Sequence, residues 1–249
     1  MPSVTAHILC FNESEILPYS LRHYSLFCDK IVVHDAFSTD TSRDIARHYG
    51  AEVRDWHCKG VDDLVAKKTK EDAVMACKTD WCIAVDADEL IYFPEGHYHT
   101  LSVYDADGVA VVKTKGYEMF SEEFPTTEQQ IYDQVKFGAP DQKWYGKAVL
   151  VASGRIRSIT FGAGCHQTWA TLKDGSKWSD VQQPNDPPTF LLHCHHLGPI
   201  DRITKRYAGQ QSRHSVSNIA SKFGNFEAPA KHALDKRAMI MPKLEQVIR

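Results

Sequence analysis

The stretch "TDWCIAVDADEL", residues 79–90, decides how this chain is read. Trp81, Ile83, Ala84 and Val85 form a short apolar run, and Asp86, Asp88 and Glu89 follow at once. Such a run, bounded by polar residues, reads as a buried strand. Carboxylates crowded at its end repel one another and are costly to desolvate unless positive charge meets them. Asp86 and Asp88 are two positions apart, so they point the same way in extended chain, and in a turn past the strand they can also converge. A divalent cation resolves the conflict. Oxygen ligands suit Mg²⁺ or Mn²⁺, ions that commonly bind substrate phosphates as well and act as Lewis acids on a diphosphate leaving group. The plain alternative for so short a pattern is an exposed turn or a helix N-terminus.

Upstream of this stretch, strand and helix signals alternate. "VTAHILCF" (4–11), "KIVVHD" (30–35) and "AEVRDW" (51–56) are strand candidates, and 80–89 is the fourth. Between them the apolar spacing predicts helices over 13–28, 38–50 and 62–78. Pro18 fits the first only in its first turn. The second opens on capping residues and stops at Gly50. The third is lysine-rich, with Leu64, Val65, Val74 and Met75 as its apolar markers. Alternation with short connections argues for βαβ units and a mostly parallel sheet. Ligands of such sheets lie beyond the carboxyl ends of the strands. That places Asn12 and Glu13, Asp35, and the acids of 86–89 at one edge.

The second half is less regular. Strands are predicted at 107–120, 147–153, 155–161 and 189–198, with a turn at Ser153-Gly154 joining the middle pair. Residues 122–146 read as loop with some helix and 162–188 as mostly loop. Pro199 opens a helix over 199–214, and another lies near 229–248. No repeat or long linker divides the chain, so one domain over 1–249 is expected.

The totals narrow the function. The chain is 43% hydrophobic and 24% charged with a net charge of −3. That is an ordinary globular composition with no broad pull toward nucleic acid. No apolar run is long enough for a membrane span, no secretory signal opens the sequence, and peripheral attachment through the basic tail is allowed but not required. The seven cysteines are scattered without a CxxC, which favours a reduced, cytoplasmic setting over a disulfide framework.

The runs "ILCFNESEILPYSLRHY", "DKIVVHDAFSTDTSRDIARHYGAEV" and "DWCIAVDADEL" together resemble the family 2 type of nucleotide-sugar glycosyltransferases with the A-type (GT-A, Rossmann-like) fold. The resemblance is carried by Asn-Glu after strand one, Asp and Ser-Thr-Asp after strand two, and D-x-D-E after strand four. It covers about residues 4–95 and weakens beyond. It implies a nucleotide-sugar-binding half (1–95), an acceptor and active-site half (96–215) and a C-terminal helical tail (216–249). It further implies that Asp35 recognises the base or ribose, that Asn12 and Glu13 lie against the nucleotide, and that Lys67 or Lys68 approaches the diphosphate. Asp86 and Asp88 match the metal motif, and Glu89 an acid that often follows it. Each residue also has a plain structural reading: Asn12 as a turn former, the two lysines as a solvated helix face.

Thirteen histidines is a high count, and two groups stand out: His166 in "FGAGCHQTW", and His193, His195 and His196 in "LLHCHHLG". His193 and His195 share one face if the strand persists. By resemblance, His166, His193 and His195 are candidate metal or donor-site residues beside Asp88, with His196 a surface residue. Transfer with inversion needs a base for the acceptor hydroxyl, and Glu118 and Asp133 are candidates alongside Glu89. Lys147, near Trp144 and Tyr145, is a candidate for phosphate. The expectation is a Mn²⁺- or Mg²⁺-dependent transferase moving sugar from a UDP- or GDP-sugar to a hydroxyl of a glycan or other acceptor, in polysaccharide or glycoconjugate synthesis. The alternatives are a degenerate glycan- or partner-binding module of the same fold, and a metal-dependent nucleotidyltransferase or phosphohydrolase.

Overall fold

The computed structural model describes residues 2–179, 185–223 and 227–248. It begins with β1 (Val4–Cys10), all seven residues of which are buried. Then come α1 (Leu17–Ser25), β2 (Lys30–Asp35), α2 (Ser42–His48), β3 (Glu52–Asp55), α3 (Asp63–Ala76) and β4 (Trp81–Asp86). β1 pairs in parallel with β2 on one side and with β4 on the other, and β2 pairs in parallel with β3. Strands buried on both faces need apolar residues at nearly every position, which is why "TAHILC" and "WCIAV" lack clean alternation. Pro18 lies in the first turn of α1, where its missing N–H costs nothing. Asp62 caps α3 by accepting from the amides of Leu64 and Val65.

The register fixes the functional edge. Cys10 lies opposite Asp35, and Leu9 opposite Asp86. Connections to β2 and β3 go one way from β1 and the connection to β4 goes the other, so the sheet has its switch point between β1 and β4.

After Asp86 the chain turns through Ala87 and Asp88 and leaves the sheet as β5 (Glu89–Tyr92). It continues through α4 (His97–Ala106), β6 (Val111–Val112), β7 (Lys115–Ser121), α5 (Ile131–Gln134), β8 (Phe137–Pro140), α6 (Gln142–Tyr145) and β9 (Leu150–Val151). β9 runs antiparallel to β4 and β6, giving the first sheet the order β3-β2-β1-β4-β9-β6. Next are β10 (Ile156–Phe161), β11 (Thr168–Leu172), β12 (Lys177–Ser179), β13 (Phe190–Leu197), α7 (Ile200–Gln211), α8 (Val216–Ser221), α9 (Pro229–Ile240) and β14 (Glu245–Gln246). A second sheet has the order β14-β8-β7-β13-β5.

The α/β class with a mostly parallel sheet flanked by helices therefore stands, while the second half holds more sheet than expected. The expected strand over 155–161 is β10, and it pairs with β11 and β12, which lie in the stretch read mostly as loop, to form an antiparallel three-stranded sheet. The expected turn at Ser153-Gly154 does not make a hairpin, because β9 and β10 belong to different sheets. Part of that loop reading, residues 180–184, lies outside the described residues. In α3 the buried residues are Lys70, Ala73 and Val74, whereas Leu64 and Met75 are exposed.

The turn between β4 and β5 is pinned from α1. Ser20 Oγ donates to the Ala87 carbonyl. Tyr24, fully buried, donates its hydroxyl to the Glu89 carbonyl at 2.8 Å and accepts from the Ile91 amide at 3.2 Å. Tyr24→Phe would strand both backbone groups without water. The expected loss is about 1–3 kcal/mol of unfolding free energy, read from urea melts. A loss below a few tenths would show that the pin carries no weight.

Candidate metal and nucleotide site

Glu89 is fully buried at the end of the acidic turn. Its Oε1 accepts from Lys147 Nζ, and its Oε2 accepts from the Asp86 amide at 3.0 Å with Lys70 Nζ 3.9 Å away. Lys70 also pairs with Asp86 Oδ1 at 2.9 Å. Burial would raise the Glu89 carboxyl, but the two lysines outweigh it and hold it at about 2. Glu89 and Lys147 are thus paired with each other in the interior. The lysine of α3 that meets the acids is Lys70. Lys67 donates to the Phe161 carbonyl at 3.1 Å, and Lys68 pairs with Asp72 on an exposed face.

Asp88, 8% exposed, faces a different set of partners. Its Oδ2 lies 3.1 Å from Arg206 Nη2, 3.3 Å from His195 Nδ1 and 3.7 Å from His193 Nε2. The two imidazoles lie in parallel planes with their ring centres 5.7 Å apart, as expected for alternate residues of one strand. β13 puts His193 in register with Glu89 of β5 and with Glu118 of β7. His193 Nδ1 is 2.8 Å from Glu118 Oε2, and the Tyr145 ring stacks on the imidazole at 4.1 Å. The other oxygen of Glu118 accepts from the His196 amide at 3.3 Å. Burial would lower His193, but Glu118 and Asp88 raise it to about 9. Burial, reinforced by Arg206, holds His195 down at about 4.

Among the described residues, one donor atom each from Asp88, His193 and His195 falls within 4.8 Å of the others. One carboxylate and two imidazoles is a chelating set for a divalent transition metal. His195 Nε2 is buried with no hydrogen-bond partner among the described residues, and Glu118 orients His193 as an outer carboxylate orients a metal-binding histidine. His166 is not in this set: its Nδ1 lies 2.7 Å from the Trp144 carbonyl. His196, expected at the surface, is buried and lies 2.8 Å from the Tyr207 hydroxyl. A register shift in β13 between His193 and His196 turns it inward. Asp133 is exposed on α5, a helix tied to α1 through Gln130 and the Tyr19 carbonyl.

The first two loops close the edge. Asn12 has φ of +53°, a conformation asparagine tolerates better than most residues. Its Oδ1 accepts from the amides of Thr39 and Asp40 at 2.8 and 3.3 Å, clamping the two loops together. Glu13 takes both amino groups of Arg206, at 2.7 and 3.3 Å. Asp35 is fully buried, and its Oδ1 accepts from the Ser38 amide and Arg43, each at 2.9 Å. Its Oδ2 is buried with no partner among the described residues.

Sequence reasoning missed Lys70, and it put Arg206 with Arg202 and Lys205 on a basic helical ridge that could touch diphosphate or, more commonly, face solvent. Lys70 stands three and four positions before the buried Ala73 and Val74, and Arg206 three after the buried Ile203. Helical spacing alone therefore put both on inward faces.

No family model matches the chain, and no curated protein does. Among solved structures it is similar to glucosyl-3-phosphoglycerate synthase from Mycobacterium tuberculosis in complex with Mn²⁺, UDP and glucosyl-3-phosphoglycerate. That match has 17% identity and a TM-score of 0.34, and covers 47% of this chain and 44% of that one. It is similar also to mannosyl-3-phosphoglycerate synthase from Rubrobacter xylanophilus, at 18% identity and a TM-score of 0.40, covering 61% of this chain and 53% of that one. The matched region spans about half the length of each enzyme. The chemistry of the site has to be read from its own residues.

The lysine pairing gives a testable pH dependence. Lys70→Met leaves buried acids short of one counter-charge and is expected to cost about 3–5 kcal/mol at neutral pH. A carboxyl depressed in the folded state contributes stability that is full above its unfolded value, here 4.5, and lost as pH falls through about 2. The deficit of Lys70→Met should therefore shrink as pH drops below 4.5. Urea unfolding across a pH series checks it, and a deficit that stayed constant would rule the pairing out as its cause.

Proposed function

We propose that this protein is a divalent-metal-dependent glycosyltransferase. It would move a sugar from a UDP- or GDP-sugar to a hydroxyl of a glycan or other acceptor, in polysaccharide or glycoconjugate synthesis. One observation carries the reading. The half-exposed Asp86, the Asp88–His193–His195 set and the buried Asp35 all sit at the carboxyl ends of β1, β2 and β4 or beside them, at the switch point of the sheet. Ligands of open α/β sheets bind in that crevice.

Asp88, His193 and His195 would hold the cation, and two imidazoles favour Mn²⁺ over Mg²⁺, which keeps to oxygen ligands. When bound, the cation supplies Lewis-acid stabilisation of charge on a leaving diphosphate. The unpaired Oδ2 of Asp35 supports a role in accepting a hydrogen bond from the ribose or base. Arg206 brings a guanidinium to the edge where phosphate charge would lie. Glu118 fits a positioning role, because its two oxygens are taken by His193 and the His196 amide. Asn12 shapes the first loop. A cytoplasmic setting accords with seven free cysteines.

Thermal melting with UDP, GDP and their sugars, each with and without Mn²⁺, tests the proposal. A ligand that binds only the folded state raises the melting temperature. The expected result is a Mn²⁺-dependent rise with one nucleotide that is lost in Asp88→Ala and kept in Asp133→Ala. Glu118→Gln should weaken Mn²⁺ binding roughly 10–100-fold. No shift with any nucleotide in the presence of Mn²⁺ would sink the reading.

A further inference from the structure

A second cluster of donor atoms lies under the C-terminal end of α3. His7 of β1, Cys82 of β4 and Cys77, which caps α3, each place one donor atom within 4.8 Å of the other two. The parallel register sets Thr5 beside Cys82 and His7 beside Ala84, so His7 and Cys82 share one face of the sheet. His7 and Cys82 are buried, and Cys77 is partly exposed, which leaves an approach from solvent. None of these side chains takes part in the Asp88 site.

We propose that His7, Cys77 and Cys82 form a separate binding site for a thiophilic metal ion of the Zn²⁺ class. Donors at Zn–S and Zn–N distances around a tetrahedral centre stand roughly 3.5 Å apart. The separation already present thus needs only a short contraction. The chemistry of the set selects the ion: two sulfurs and one imidazole, with no carboxylate among them, disfavour Mg²⁺ and favour zinc. The outer contacts fit as well. His7 Nδ1 lies 2.9 Å from His34 Nε2, which fixes the ring and leaves the other nitrogen for the metal. The Thr79 hydroxyl lies 3.1 Å from Cys77 Sγ and 2.9 Å from the Trp81 carbonyl, so its one proton can turn to a thiolate by leaving that carbonyl.

With three protein ligands, the fourth position falls to water or an exogenous ligand on the Cys77 side. Binding releases one proton from each thiol and changes no oxidation state. The ion would tie the end of α3 to β1 and β4, and α3 is the helix that delivers Lys70 to Asp86.

The test is a Co²⁺ titration of the reduced full-length chain, with Co²⁺ as the visible stand-in for Zn²⁺. One equivalent should give a thiolate-to-cobalt charge-transfer band that Zn²⁺ then abolishes. The band should persist in Asp88→Ala, whose site has no sulfur, and vanish in Cys77→Ser and Cys82→Ser. Melting in chelator controls for folding: Cys77→Ser, at a partly exposed position, should melt with wild type there yet lose the rise that Zn²⁺ gives wild type. No band in the wild type, or a band that survives in Cys77→Ser, overturns the proposal. Neither readout involves a nucleotide, so the result is independent of the glycosyltransferase reading.

Discussion

Two lysines held against buried acids organise this protein. A carboxylate as deeply buried as Glu89 must be compensated or it will take up a proton. The compensation comes from Lys70 on α3 and from Lys147, just ahead of β9. Meeting that requirement seats α3 against the sheet and brings the chain before β9 back toward β4. It also divides the acidic turn. Glu89 is spent inward on the fold, Asp86 shares Lys70 while staying half exposed, and Asp88 is left to face the edge. The question posed by three acids behind a buried strand thus has two answers, one electrostatic and internal, the other concerned with ligands.

How much of this was legible follows from which constraints are local. The parallel half could be read because its central strands, β1 and β4, are buried along nearly their whole length, and its strands and helices alternate with short connections. β10 could be read as well, but its partners β11 and β12 could not. β11 alternates only briefly, with Trp169 exposed, and β12 has three residues, so neither shows a hydrophobic period. In α3 the reading followed hydrophobicity and chose Leu64 and Met75, whereas the tertiary need for counter-charge buried Lys70 instead. The same limit separates the site residues. Asp88, His193 and His195 meet because a turn and an alternating strand are local devices. His196 turned inward because of a register shift that no residue pattern announces. Lys67, Lys68 and His166 carry the right chemistry and are used elsewhere.

The second sheet explains why the first needs it. β13 lies between β5 and β7, and one row across these strands contains Glu89, His193 and Glu118. A parallel sheet alone offers the ends of its strands but no wall facing them. By leaving that sheet, β5 carries the acidic turn to the point where β13 can set imidazoles opposite it. Glu118 then fixes one imidazole from behind and Tyr145 covers its face.

Arg206 sets the electrostatics of the edge. It contacts the same oxygen of Asp88 that the histidines approach, and a cation sharing that carboxylate would repel the guanidinium. The repulsion is tempered by Glu13, which grips Arg206 through two bonds from the first loop. Asp88, Glu13 and Glu118 together carry three negative charges against the one of Arg206, so the edge keeps a net demand for positive charge. That demand is met without burying an unpaired ion only if a further cation enters or if the imidazoles are protonated. His193, raised to about 9, already answers part of it, while His195, held near 4, stays neutral. His195 offers a neutral nitrogen beside Asp88, whereas His193 would release its proton to a metal ion that binds there.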